Sequence, residues 1–595
     1  MKKKRYIAGG VSFIVILSIL TLATHPLLAC PSVSDYQTIT KGNSINDSQG
    51  NSINGTKGNS INGTKGNSII DNQGVGQASQ TAQEQLRSLA NKPEYHQALI
   101  AAKAITTSDK TILNYNQDKM LVPASTMKLI TTGMSLRILG SDYRWKTILA
   151  YYGHIHDGVL YGDLIIKGAG DPMLAAGDTI SYTAQHYFRQ WAVMLKKAGI
   201  TQIRGHVFGD GSWLEGPAQH QSWLSEDLGT DFGAGVRGLN FYQNRQDYSL
   251  IPAKELGAKT SISAGYPLYD KMKISNEVVM AKEGTGDESY LFASEFAPVG
   301  VFRGTFALDR SAKTLHCANV FPEYTCAAEF VQYLETQGIK CDGGAASRDG
   351  YFSAEEYNLE ASSAQISVAD SALMTVENGV TVENGGMVEN GGMVEKEYVV
   401  LGESQSPELL KLVRKTNYES NNFYADALFR TVGREKGGNG DWISSGNIMA
   451  KEMSARGLGK IGTGDNEVRL TSGLMMTDGS GLSRKNLLSP SFMCRYLKSM
   501  TSSTYYKDFL YSLPSPGNDG TMFYRMKNAP EGVKSRIHYK SGSMNGVACF
   551  SGYILPSTEG GETIIFSIMV NNCTQRLASI QSQLDRIILA LANQN

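Results

Sequence analysis

The chain has 595 residues, too many for one ordinary hydrophobic core, so two or three domains are expected. Hydrophobic residues make up 41%, which excludes disorder throughout. Lys+Arg and Asp+Glu both number 56, so neither a basic excess for nucleic acid nor an acidic tail marks the chain. A charged polymer, if one is the partner, must be recognised by local sites.

Residues 1–29 combine a basic start, MKKKRY, with a long apolar stretch, which reads as an export signal. The run Leu27-Leu28-Ala29-Cys30 resembles the bacterial lipobox, where the cysteine is lipidated and becomes the new N-terminus. Leu28 is a less usual residue in that pattern. A simple A-x-A cleavage fits worse, because Leu27 is bulky where a small residue is wanted. An uncleaved membrane anchor is the other reading.

Residues 30–80 are low in complexity. GNSI starts at 42, 50, 58 and 66, and each polar unit carries too few apolar positions to offset the entropy of ordering. A flexible tether holding the remainder away from a membrane is expected. From Thr81 the sequence is globular. TAQEQLRSLANKPEYHQALIAAKAI passes from helical to strand spacing, and a helix is expected through STMKLITTGMSLRILG, stopped by Gly140. Residues 148–352 are strand- and loop-rich. A second repeat, VENG at 376, 382 and 388, reads as a surface loop over 374–396. Helical patterning returns in SPELLKLVRKTNYESNNFYADALFRTVG. VKSRIHYKSGSMNGVACFSGYI and TIIFSIMVNN read as two adjacent strands, before a closing helix. Residues 81–147 and 353–595 thus bracket a strand-rich insertion of one or two smaller domains.

Six cysteines follow Cys30: Cys317, Cys326, Cys341, Cys494, Cys549 and Cys573. An even number permits disulfides in an exported protein, and the spacing of Cys317 and Cys326 allows a local bridge. C-x-x-C and H-E-x-x-H spacings are lacking, so neither a metal site nor a cofactor is expected.

Three short motifs carry chemistry. In PASTMK, Ser125 and Lys128 are three apart and share a helix face. Serine attacks only when a base takes its proton, and lysine is a base only when its pKa falls well below about 10.4. Burial and a nearby cation would both lower it. Alone, the pair reads more simply as a helix start and a solvated lysine. In YESNNFYADALF, Ser420 could relay a proton and Asn422 could bond substrate or the lysine; alone, they are a helix cap and its neighbour. In HYKSGSMNG, Lys540 offers a fixed positive charge, Ser541 a hydroxyl for a carboxylate, and Gly542 close approach of substrate to a strand. The plain alternative is an edge strand guarded by its lysine. His538, beside this motif, reads as structural.

S-x-x-K followed by S-D-N and K-T-G marks penicillin-binding proteins and class A β-lactamases. Here the second and third are S-N-N and K-S-G, and the gap between the first two is far longer than a β-lactamase would use. The chain from about residue 85 to the end resembles the exported D-alanyl-D-alanine carboxypeptidase/endopeptidases, the class C low-molecular-mass penicillin-binding proteins. GDLIIKGAGDPML, GDGSWL, DGSGLSRKNLLSP and GNDGTMFYRM resemble further blocks of that family, in its order. Asn421 for aspartate, Ser541 for threonine, Trp213 for phenylalanine and the VENG tract depart from it.

The resemblance implies an α+β fold, a penicillin-recognising serine transpeptidase or β-lactamase-like domain with helices around an antiparallel sheet. It implies acyl transfer by Ser125 with Lys128 as base, with Ser420 and Lys540 returning the proton. Backbone N–H groups of Ser125 and Ser543 would hold the oxyanion. Lys540 and Ser541 would bind the terminal carboxylate, and Asn422 the acyl side-chain amide. Asp210 would meet an amine, and Arg484 a carboxylate, on the third stem residue, with Asn545 lining the same cleft. Peptidoglycan peptides and β-lactams are the implied ligands. A serine β-lactamase is the rival enzyme, although no E-x-x-L-N block supplies its deacylating glutamate. A non-catalytic wall-binding lipoprotein would be expected to have lost part of the set.

Overall fold

The computed structural model describes residues 80–267, 272–347, 382–389, 392–462, 468–518 and 520–594. The export signal, Cys30, the first repeat up to Asn72 and the start of the VENG tract lie outside these residues.

In chain order, Ala82–Ala90 forms α1, Leu99–Thr106 β1 and Thr111–Tyr115 β2. A 3-10 turn, Ala124–Met127, leads into α2, Lys128–Leu139. Gly140 ends α2 at φ 91°, a left-handed conformation that favours glycine. Then come β3, Lys146–Tyr151, β4, Leu164–Gly168, and α3, Ala184–Lys197. They are followed by β5, Val207–Asp210, α4, Pro322–Thr336, and β6, Ala345–Ser347. The strands β7, Val382–Glu389, and β8, Gly392–Gln405, precede α5, Leu409–Glu419, and α6, Asn422–Glu435. Further on lie α7, Pro490–Thr501, β9, Ile537–Met544, β10, Val547–Ile554, β11, Ile564–Asn571, and α8, Leu577–Asn593.

The first sheet joins the two ends of the chain, in the order β2-β1-β11-β10-β9, with all neighbours antiparallel. All eight residues of β10 and of β11 are buried. The reason is visible in their alternation. Ile564, Phe566 and Ile568 pack with Leu86 of α1 and Leu584 of α8, whereas Ile565 and Met569 face the core that holds α2 and α7. Helices therefore cover both faces. The last two expected strands are three, because Asn545-Gly546 folds the K-S-G segment into a hairpin.

Between these halves stands a second sheet, β6-β5-β4-β3-β8-β7. Its core includes Tyr187, Phe188 and Trp191 of α3 and Phe330 of α4. Those two helices lie within a region that the sequence suggested was strands and loops. A separate small core gathers Tyr248, Leu250, Phe302 and Phe306. The VENG tract differs from the expected loop, since β7 and β8 pair antiparallel from Val382↔Val399 to Glu389↔Gly392. β8 also pairs with β3, so the repeat extends a strand edge that would otherwise present unpaired backbone groups. The inserted sheet consequently runs to Gln405, past the expected return at residue 353. The six described cysteines are free thiols, and no Cys317–Cys326 bridge forms.

Leu584→Ala would open a void between α8 and the first sheet, where Leu584 is fully buried. The expected loss is about 2–5 kcal/mol in urea unfolding.

Candidate active site

Ala124 sits at φ 46°, a left-handed conformation costly for a residue with a side chain. The neighbouring loop closes on it: a Cβ on Gly481 would lie 2.0 Å from Ala124 O. The bend brings Ser125, half-buried, to the start of α2, with Lys128 three residues on.

Lys128 is fully buried. Its Nζ lies 3.0 Å from Ser125 Oγ, 2.6 Å from Asn422 Oδ1 and 2.8 Å from Ser480 O. The last two are acceptors only, assigning the Asn422 amide by its bonds. A neutral amine has two N–H groups and one lone pair. The two obligate acceptors take the N–H groups, and the lone pair faces the one partner that can donate, the Ser125 hydroxyl. Burial pulls the Lys128 pKa down to about 8, against the opposing pull of Asp426 and then Asp478. Of the two causes expected, burial and a nearby cation, burial leads.

Ser420 sits between α5 and α6 at φ 61°. Its Oγ receives the Lys540 Nζ at 2.8 Å, and that Nζ also donates to Ser541 O at 2.6 Å. Lys540 is fully buried, and burial followed by Lys128 pushes its pKa well below the ordinary lysine value. Asn421 caps α6 by accepting from Tyr424 N at 2.9 Å, and its Nδ2 donates to Gln243 Oε1 at 2.8 Å. Asn422, expected to bond substrate or the lysine, bonds the lysine and is engaged at both ends, with Nδ2 donating to Phe232 O at 3.0 Å.

Gly542 needs its missing side chain for a reason other than substrate approach. A Cβ there would lie 2.6 Å from Pro123 O and 2.8 Å from Ser125 N and Thr126 N. The β9 edge thus presses on the nucleophile turn itself. Ser541 is half-buried and Ser543 exposed on the same strand. Asn545, exposed at the hairpin turn, accepts from Arg484 Nη2 through its carbonyl at 2.9 Å. His538 has Nδ1 3.2 Å from Ser515 Oγ, and burial lowers its pKa, as a structural histidine would show.

Asp210 corrects its expected role. It ends β5 with no exposed surface, and its Oδ1 accepts from Ser212 N at 3.0 Å. A carboxylate so enclosed cannot meet a substrate amine without opening the strand end. An acid within electrostatic reach of exposed Arg484 is Asp227, also in the inserted segment. Burial and then Glu226 raise its pKa, and Arg484 opposes them.

Three further residues carry the site. Asp478 binds Gly481 N at 2.7 Å and Asn486 Nδ2 at 2.8 Å through Oδ1, and Ser483 N at 2.7 Å and Trp223 Nε1 at 2.9 Å through Oδ2. This fixes the loop that presents Ser480 O. Asp426 Oδ1 accepts from Gly479 N and Ser480 N, both at 2.9 Å. Asp478 and Ser480 belong to the quoted DGSGLSR run. Asp426 was detectable by standing four residues after Asn422, on one face of α6.

A buried amine beside a serine, a second lysine on the edge strand and a hydroxyl between two helices define the penicillin-recognising serine acyl-transfer class. The chain matches the D-Ala-D-Ala carboxypeptidase 3 (S13) family over residues 82–374 and 372–591, and it belongs to that family of serine-type carboxypeptidases. It is 27% identical over 523 residues to a D-alanyl-D-alanine carboxypeptidase of an Actinomadura species, covering 86% of this chain and 84% of that one. It is 24% identical over 493 residues to D-alanyl-D-alanine carboxypeptidase DacB of Haemophilus influenzae, covering 80% and 86%. The crystal structure of penicillin binding protein 4 (dacB) from Haemophilus influenzae shares the fold. Its TM-score is 0.65 at 22% identity, covering 86% of this chain and 98% of that one.

Gly542→Ala is expected to slow D-Ala release about tenfold or more, because the methyl group must displace backbone at Ser125. The assay is kcat/KM on a peptide ending in D-Ala-D-Ala. In the parent enzyme kcat/KM should climb through pH of about 8, since Lys128 is protonated below that value and free to accept above it.

Proposed function

We propose that this chain is an exported serine D-Ala-D-Ala carboxypeptidase and DD-endopeptidase. It acts on peptidoglycan stem peptides and cross-links through an acyl-enzyme at Ser125, and penicillin acylates the same serine. The observation that carries this reading is the Lys128 amine, 3.0 Å from Ser125 Oγ, with its other two directions filled by acceptors.

Lys128 takes the Ser125 proton as Oγ attacks the penultimate D-alanine carbonyl. Backbone N–H groups of Ser125 and Ser543 receive the oxyanion, each contributing about 3–4 kcal/mol. The Lys540–Ser420 hydrogen bond supplies a route for the proton to the leaving amine. A terminal carboxylate arriving near Lys540 and Ser541 supplies the counter-charge that Lys540 lacks, and so favours its cationic form. Water then deacylates Ser125. Arg484 and Asp227 together suit a third stem residue that bears both a carboxylate and a free amine.

Acylation by β-lactams is supported by the relative from Haemophilus influenzae, whose structure was also determined in complex with a β-lactam. The apolar, basic-led N-terminus and Cys30 support export and a lipid tether in the periplasm. Among the described residues no helix is long and apolar enough to cross a membrane.

Ser125→Ala is expected to abolish both penicillin labelling and D-Ala release, and retained labelling would reject the assignment. Digestion of cross-linked muropeptides, followed by mass analysis, separates the two activities. Loss of one alanine reports the carboxypeptidase, and conversion of dimers to monomers the endopeptidase.

A further inference from the structure

Asp426 is fully buried on α6, one turn after Asn422. One oxygen accepts two backbone N–H groups, from Gly479 and Ser480, while Oδ2 is enclosed and has no hydrogen-bond partner. Asp478, in the same enclosure, differs in having both oxygens filled by donors. A buried carboxylate with one idle oxygen is costly as an anion and less so when it carries a proton. Asp426 is also joined to the base through a single residue. It holds Ser480 N, and Ser480 O accepts from Lys128 Nζ at 2.8 Å. Asn422, from the preceding turn of the same helix, accepts from Lys128 Nζ at 2.6 Å.

We propose that Asp426 is a positioning residue that aims Ser480 O at Lys128, and that its charge state is linked to that of Lys128 and so sets the pH at which the Ser125 base becomes free. The geometric half of the role is to aim Ser480 O at the amine. The electrostatic half follows from the charged groups around the pair. Asp426 and Asp478 act on Lys128 from α6 and the DGSGLSR loop, Lys128 acts on Lys540 of β9, and Asp426 acts on Arg430, one turn further along α6. Burial raises the Asp426 pKa well above its ordinary value, Asp478 adds to the rise, and Lys128 is among the groups opposing it. Proton and charge balance within the pair. A proton on the carboxyl with a neutral amine, and a carboxylate with an ammonium, carry the same total charge, and only the first leaves the lysine lone pair for Ser125.

Asp426→Asn keeps an oxygen for Gly479 N and Ser480 N but removes the titrating carboxyl. Without the carboxylate, the ammonium of Lys128 loses an attractive neighbour, so its pKa falls. The acid limb of kcat/KM for D-Ala release should move to lower pH by about one unit or more. A uniform drop in rate with an unmoved limb would show a structural role only and overturn the proposal.

If the variant fails to fold, NMR of the full chain labelled at the aspartate carboxyl carbon tests the parent enzyme directly. One carboxyl resonance must titrate with the midpoint of the acid limb. If none does, the proposal fails. The inference rests on Ser125 being the acylated residue. Penicillin labelling mapped to Ser125 checks that reading separately from either pH measurement.

Discussion

The site depends on an amine placed where an amine is expensive to put. Lys128 has no exposed surface, and in its charged form it forgoes the water that would solvate it. The cost is limited because Nζ meets oxygen in three directions, from the nucleophile turn, from α6 and from the DGSGLSR loop. Each comes from a different part of the chain, so the base exists only when those segments have converged. Burial also brings its pKa down to about 8, so a far larger fraction of the amine is free to accept a proton near neutral pH than a solvated lysine would offer.

The convergence is enforced from two sides. On one, the β9 edge lies so close to the nucleophile turn that only glycine fits at 542, which couples the K-S-G strand to the position of Ser125. On the other, the inserted segment reaches back to the site. Phe232 O receives Asn422, Gln243 receives Asn421, and Trp223 donates to Asp478. The insertion is therefore more than a spacer between motifs. It fixes the amide that meets Lys128 and the acid that shapes the loop presenting Ser480 O.

The residues that converge at the candidate site were legible because each lies in a short run of distinctive residues: Ser125 with Lys128, Ser420 with Asn422, and Lys540 with Gly542. The first sheet was partly legible, since the continuous apolar runs of β10 and β11 suit strands covered on both faces. What the sequence could not supply was partnership across long separations. Asp210 stands in a GDGSW run, as a reader of substrate might, yet it is enclosed at a strand end. Asp227 has no motif of its own and gains meaning only from Arg484 within its electrostatic reach. The helices α3 and α4 were missed because their flanks are rich in short strands and turns. The VENG hairpin was missed because its polar, glycine-rich units have little strand propensity, and pairing depends on the edge offered by β8.

Two buried lysines stand near one another, and they differ in their charged neighbours. Lys128 has acids within its electrostatic reach, Asp426 and Asp478, which partly restore its affinity for a proton. Lys540 has Lys128 as its charged neighbour and hydrogen-bonds a hydroxyl and a carbonyl. Lys128 thus has anionic neighbours built into the protein, whereas a counter-charge for Lys540 would have to come from a bound ligand. An anionic group arriving beside Lys540 would favour its cation, and that cation would in turn make Lys128 more reluctant to hold a proton. The ligand's own negative charge acts on Lys128 in the opposite sense, so the net effect depends on which of the two charges lies nearer the amine.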